Sequence, residues 1–226
     1  MSTVLVIGAS RGIGLELVRQ YLARGDRVIA TVRDDAARQQ LQALGAQVLL
    51  VDVAQPASVS GLAWQLDGEV IDTALYVAGV MSRAGATEPP TQPEFDRVMR
   101  TNVLGAMQVI PQVAPMVAAA GQGRGGRFVF LSSVMGRIGG VTGSDCWLYR
   151  VSKAALNMAV AAAQPSYPGV TMVAMHPGWV QTDMGGASAP LAVADSVSTT
   201  LATLDTLTPA DRGRFLQPDG TPYPGW

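Results

Sequence analysis

Cysteine and histidine occur once each among the 226 residues, as Cys146 and His176. A lone cysteine excludes an internal disulfide framework and makes a reducing cytoplasm the expected setting. A lone histidine excludes metal clusters built on several imidazoles, and no metal site is expected. Charge is also sparse: 15% of residues are Asp, Glu, Lys or Arg, and the formal net charge is −1. With no basic cluster, nucleic acid is not an expected partner. No apolar stretch reads as a membrane span, and the opening Met1-Ser2-Thr3-Val4 lacks the charged start and cleavage site of a signal peptide, so no membrane partner is expected either. No linker interrupts the chain; the glycine-rich stretch 121–126 and the segment 165–169 are short enough to be loops. Hydrophobic residues, by contrast, make up 48%, enough to bury a large core, and one domain over 1–226 is expected.

The pattern of that apolar content sets the fold class. Near-continuous apolar runs at 4–7, 27–32, 47–52, 70–77, 127–132 and 170–175 read as strands covered on both faces. Helical periodicity fills the gaps after residue 12, at 35–44 closed by Gly45, at 56–66, along a long stretch from 93 to 120, from 149 to 163, and at 189–204. A short strand at 214–217 completes about seven. This alternation predicts an α/β protein with a doubly wound, Rossmann-like parallel sheet and helices on both faces. Ligands of such sheets bind beyond the carboxyl ends of the strands.

Those strand ends carry the unusual residues. The first is followed by Gly8, Ser10, Arg11, Gly12, Ile13 and Gly14, a Gly-x-x-x-Gly-x-Gly turn opening a helix. Glycines suit a tight turn close to a ligand, and the helix N-terminus offers free N–H groups to a phosphate. No Gly-Lys-Ser/Thr follows, so the turn is not a P-loop. Arg33 follows the second strand, Asp52 and Val53 the third, Ala78 and Gly79 the fourth, Ser132 and Ser133 the fifth, and His176, Pro177, Gly178, Trp179, Val180 and Thr182 the sixth. Tyr149 and Lys153 are four apart at the start of a helix and share a face. An ammonium roughly 5 Å from a phenol, at an effective dielectric of about 20, is worth about 3 kcal/mol, which would lower the phenol's pKa by roughly two units.

In this order and spacing, Gly8-x-x-x-Gly12-x-Gly14, Asp52, Ala78-Gly79, Asn102, Ser133, Tyr149-x-x-x-Lys153 and Pro177-Gly178 resemble the short-chain dehydrogenase/reductase family over essentially the whole chain. Arg33, the segment from His176 to Met184 and the tail from Phe215 are similar to its C-factor-like and sniffer-like carbonyl reductase branch. The resemblance implies that Tyr149 is the general acid/base. It implies that Lys153 tunes Tyr149 and holds the nicotinamide ribose, that Ser133 hydrogen-bonds the substrate oxygen, and that Asn102 fixes a proton-relaying water chain. Ser133 is preferred to Ser132, which strand alternation points the other way. The implied activity is reduction of aldehydes or ketones, or oxidation of the matching alcohols. A dinucleotide-binding signalling protein of C-factor type with little turnover is the alternative. Two departures are visible: Ile7 stands where the family usually has Thr, and Tyr76-Val77-Ala78-Gly79 where it usually has Asn-Asn-Ala-Gly, so asparagine hydrogen bonds are lost there.

Arg11 and Arg33 suit a 2′-phosphate, because a guanidinium fork matches phosphate oxygens, so NADP(H) is expected over NAD(H). Asp52 is then left to face the adenine. Met135, Trp147, Trp179 and Met184 are candidate walls of a substrate pocket, and the glycine-rich segment 183–190 reads as a small, mobile lid. His176 and Cys146 read as structural. Residues 151–163 are apolar on more than one face. Cover could come from a partner subunit in a homodimer or homotetramer, or from the chain's own long helix, which Pro111 and Pro115 should kink.

Overall fold

The computed structural model describes residues 1–120 and 125–226; positions 121–124 of the expected glycine-rich loop lie outside the described residues. The elements follow the expected alternation: β1 (Thr3–Ile7), α1 (Gly12–Ala23), β2 (Arg27–Val32), α2 (Asp35–Ala43), β3 (Gln47–Leu50), the short α3 (Pro56–Val59) and α4 (Leu62–Gln65), and β4 (Thr73–Tyr76). Then come α5 (Gln92–Met99), a π-helical turn (Arg100–Leu104), α6 (Gly105–Ala119), β5 (Gly126–Leu131), α7 (Trp147–Ala163), β6 (Val170–Met175), α8 (Val193–Thr206) and β7 (Phe215–Leu216). Among the described residues the strands form one sheet in the order β3-β2-β1-β4-β5-β6-β7. All pairs are parallel.

Strand alternation divides the core into two layers. On one face Leu5, Ile7, Ile29, Tyr76, Phe128 and Phe130 pack against α6 and α7 through Val109, Val113, Val117, Leu156 and Val160. On the other, Val4, Val6, Val28, Val129 and Val173 meet Leu17 and Val18 of α1 and Val197 and Leu201 of α8. The order reverses between β1 and β4, so the chain leaves their carboxyl ends in opposite directions and opens a crevice there.

Three expectations need correction. The helix expected over 56–66 is two four-residue pieces that part at Ser60 and Gly61, where glycine's poor helix propensity removes the reason to continue. The long helix expected from 93 to 120 is not one regular α-helix; its second part, α6, holds Pro111 and Pro115 on its exposed face, where the carbonyls they leave unpaired can meet water. A π-turn separates α5 from α6, with the Gly105 N–H reaching back to the Arg100 carbonyl. Finally, the 28-residue helical stretch Gln92–Ala119 contains a window of mean hydropathy 1.2, and by length and composition alone it is apolar enough to cross a membrane. Its inner face is nonetheless the Val109, Val113 and Val117 side of the core.

Candidate active site

The crevice between the β1 and β4 ends is a groove of about 400 Å³. Its floor is the turn after β1. Gly8 has φ +92°, and a Cβ there would stand 2.7 Å from the Ala78 backbone, so the turns after β1 and β4 touch only because position 8 has no side chain. The Gly8 N–H donates to the Thr31 hydroxyl at 3.1 Å, and Val77 and Ala78 both donate to the Ile7 carbonyl. Gly8, Ser10, Arg11, Gly12, Ile13, Gly14, Arg33, Asp52, Val53, Ala78, Gly79, Tyr149, Lys153, Pro177 and Thr182 all line the groove. Asn102, Gly178 and Val180 stand behind the lining. Val180 bridges to Leu191 and shapes the loop after β6. Of the four expected pocket walls, Met184 lines the groove and Met135, Trp147 and Trp179 do not. Trp179 lies across the outer loop, its indole N–H on the Gly185 carbonyl at 2.9 Å.

Asn102, fully buried in the π-turn, clasps the segment after β4 by both ends of its amide. Its Oδ1 accepts from the Val80 N–H at 2.8 Å, and its Nδ2 donates to the Val80 carbonyl at 2.8 Å and to Ser152 Oγ at 2.9 Å. Ser152 in turn donates to the Tyr149 carbonyl at 2.7 Å, joining the clasp to α7. Tyr76, in the place of an expected asparagine, compensates differently: its hydroxyl donates to the Thr101 carbonyl at 2.7 Å, inside the π-turn. A Cβ on Gly105 would come within 2.5 Å of that hydroxyl, which explains the glycine there.

Lys153 and Tyr149 are both buried, and the Lys153 Nζ lies 5.6 Å from the Tyr149 ring centroid while donating to the Leu131 carbonyl at 2.8 Å. Burial lowers the Lys153 pKa to about 8. The expectation for Tyr149 is reversed in the protein alone. Burial pushes its pKa up to about 12, against the Ser133 hydrogen bond, which pulls it down, and with a small upward push from Cys146. The reason is that the cost of desolvating the phenolate outweighs the lowering effect of the Ser133 hydrogen bond. Ser132 lines the groove and Ser133 stands just outside its lining. The Ser132 hydroxyl donates to Asn157 Oδ1 at 2.5 Å, whereas Ser133 stays beside Tyr149 and accepts from the Met135 N–H.

Such a groove can hold an extended nucleotide. Its lining brings together the N–H groups of a glycine turn, the Arg11 and Arg33 guanidiniums, the Tyr149 phenol and the Lys153 ammonium. No acidic residue ends β2 to compete for ribose hydroxyls. Residues 2–190 match the family described as short chain dehydrogenase. The chain belongs to that family. As a short-chain dehydrogenase it is 34% identical, over 98% of both chains, to the 1-hydroxy-2-glutathionyl-2-methyl-3-butene dehydrogenase of Rhodococcus sp. (strain AD45). It is 36% identical to the C-signal protein of Myxococcus xanthus over 68% of this chain and 92% of that one. Among solved structures it is similar to the NADPH-bound carbonyl reductase from chicken fatty liver, at 31% identity and a TM-score of 0.90, covering 100% of this chain and 99% of that one. It is also similar to the carbonyl reductase Sniffer of D. melanogaster, at 28% identity and a TM-score of 0.91, with full cover of both.

Sequence reasoning missed several parts of the short-chain dehydrogenase groove. Thr31 holds the glycine turn. Asp183 pairs with Arg11 at 2.7 Å, and both line the groove. Val80, Thr101 and Gln181 line it too. Asp183 carried a usable signal, its place beside Thr182; the partnership with Arg11 did not, since 172 residues separate them.

Proposed function

We propose that the protein is an NADPH-dependent reductase of aldehydes and ketones, able to oxidise the matching alcohols in reverse. The observation that carries this is the presence of Tyr149 and Lys153 in the lining of a groove that also presents Arg11 and Arg33, with Ser133 beside Tyr149 just outside that lining. The N–H groups at the start of α1 would hold the pyrophosphate, Arg11 and Arg33 the 2′-phosphate, Asp52 and Val53 the adenine side. Ala78, Gly79, Pro177, Gly178, Val180 and Thr182 would flank the nicotinamide half. The NADPH-bound state of the chicken liver relative supports this cofactor choice. When bound, the reduced nicotinamide supplies the hydride.

The chain's own residues supply the proton and the field. Ser133 and Tyr149 would both hydrogen-bond the carbonyl oxygen, and Tyr149 Oη gives it a proton as negative charge develops there. The high Tyr149 pKa keeps the phenol protonated at neutral pH and ready to donate. Lys153, bridging from the Leu131 carbonyl toward the groove, stabilises the phenolate left behind, and the Asn102 clasp holds Val80 and α7 in register for the transfer. We read Trp147 and Met135 as outer walls of the substrate cleft. The single free cysteine, buried at Cys146, accords with a cytoplasmic setting. The exposed Met107 of α6, and Val151 and Met158 of α7, support a homodimer formed through these helices.

The test is NADPH oxidation with an aromatic aldehyde or a dicarbonyl. Tyr149→Phe should lower turnover by about 10²-fold or more while NADPH affinity, followed by cofactor fluorescence, stays near wild type. A dinucleotide-binding signalling protein would show little turnover in the wild type and no effect of the substitution.

A further inference from the structure

At the mouth of the cleft, Arg83 reaches from the segment after β4 to the loop after β6, where its Nη2 donates to the Met184 carbonyl at 2.8 Å. Met184 itself lines the groove with Tyr149 and Lys153. The same segment runs along the start of α7, with Ala84 accepting from the Trp147 N–H and Ala86 donating to the Ser144 carbonyl. Arg83 therefore stands beside the entrance that leads to Tyr149.

Three arginines on neighbouring segments already have carboxylate partners. Arg150 holds Asp145 at 2.8 Å, Arg11 holds Asp183 at 2.7 Å, and Arg97 lies 3.8 Å from Glu94. Among the described residues no carboxylate lies within 4.0 Å of Arg83. Its effect is felt inward: burial and Asp145 raise the Cys146 thiol's pKa, and Arg83 and Arg150 pull against them. A guanidinium has five N–H donors, and one of these is on Met184, so a fork remains that can take a carboxylate by two parallel hydrogen bonds.

We propose that Arg83 makes the site select carbonyl substrates carrying a carboxylate at the end remote from the reacting carbon. This rests on the reductase reading above and adds a substrate class to it. The remote charge docks on Arg83 while the carbonyl reaches Tyr149, so the benefit appears mainly in KM.

The experiment compares 4-carboxybenzaldehyde with methyl 4-formylbenzoate, and linear oxo-acids of several lengths with their methyl esters, using NADPH at low and high salt. Wild type should prefer the acid of at least one pair by on the order of tenfold in kcat/KM, a preference that shrinks with salt. Arg83→Gln should bring the acid-to-ester ratio near one, and Arg83→Lys should keep part of it. Reduction of esters and acids with equal efficiency by wild type, or an unchanged ratio in Arg83→Gln, overturns the role of Arg83 and leaves the reductase intact. Should Arg83→Gln fail to fold, the salt dependence in wild type and the Arg83→Lys ratio decide the matter. No turnover of any aldehyde overturns the reductase reading and this inference together.

Discussion

His176 follows β6 with its backbone N–H on the Leu216 carbonyl, while its Nδ1 has no hydrogen-bond partner among the described residues. Burial lowers its pKa from 6.5 to about 4. Between those values the unfolded chain binds a proton that the folded chain refuses, so stability present above pH 6.5 drains away as pH falls toward 4. The loss is about 3 kcal/mol. Urea denaturation of His176→Gln at pH 7 and pH 4.5 should show a flatter acid limb than wild type; parallel limbs would mean the imidazole charges freely in the native state. Lys153 works in the opposite range. Its folded pKa of about 8 lies below the ordinary 10.5, so burying the ammonium costs stability at neutral pH, and that cost is relieved as pH rises from 8 through 10.5. Relative to wild type, Lys153→Met should therefore lose about 3 kcal/mol of standing between pH 7 and pH 10.5. A constant difference across that range would show that the lysine is better solvated than its surroundings suggest.

The π-turn between α5 and α6 is the element on which the candidate site turns. It presents Asn102 to Val80 and Ser152 and leaves the Thr101 carbonyl for Tyr76. Tyr76→Phe should cost about 1–2 kcal/mol in thermal or urea unfolding, because a buried carbonyl loses its partner. It should also lower kcat more than NADPH affinity, since the Asn102 clasp loosens; equal stability and kcat would separate the hydroxyl from the site. Much of the surrounding architecture was legible in the sequence. The apolar runs gave β1, β2, β5 and β6 to within a residue, because strands buried on both faces leave little alternative to their composition. The motif residues were legible through their spacing. The π-turn was not, since Gly105, which closes it, looks in the sequence like any other glycine, and the Tyr76 hydroxyl that bonds the turn comes from β4, far along the chain. Reading Tyr76 as a lost asparagine missed the bond its longer side chain makes. The sign of the Tyr149 shift was also hidden, because burial is a property of the packed core and not of the Tyr-x-x-x-Lys spacing.

Across the whole molecule, two surfaces invite measurement. If α6 and α7 form the homodimer interface, light scattering at micromolar concentration should give twice the chain mass, and Met158→Glu should halve it; a wild-type monomer would refute the assembly. The Arg11–Asp183 pair spans the groove and is solvent-exposed, so it is worth no more than about 1 kcal/mol, but it engages an arginine that a 2′-phosphate would use. Asp183→Asn should tighten NADPH binding by up to about fivefold with little effect on NADH. The strand order β3-β2-β1-β4-β5-β6-β7 has a consequence for biosynthesis. β2 pairs with β1, β3 with β2, β4 again with β1, and each later strand with the one just before it. As the polypeptide emerges from the ribosome, every strand therefore finds its neighbour already synthesised, and the sheet can grow outward from its centre, first to one side and then to the other, without any edge waiting for sequence yet to be translated.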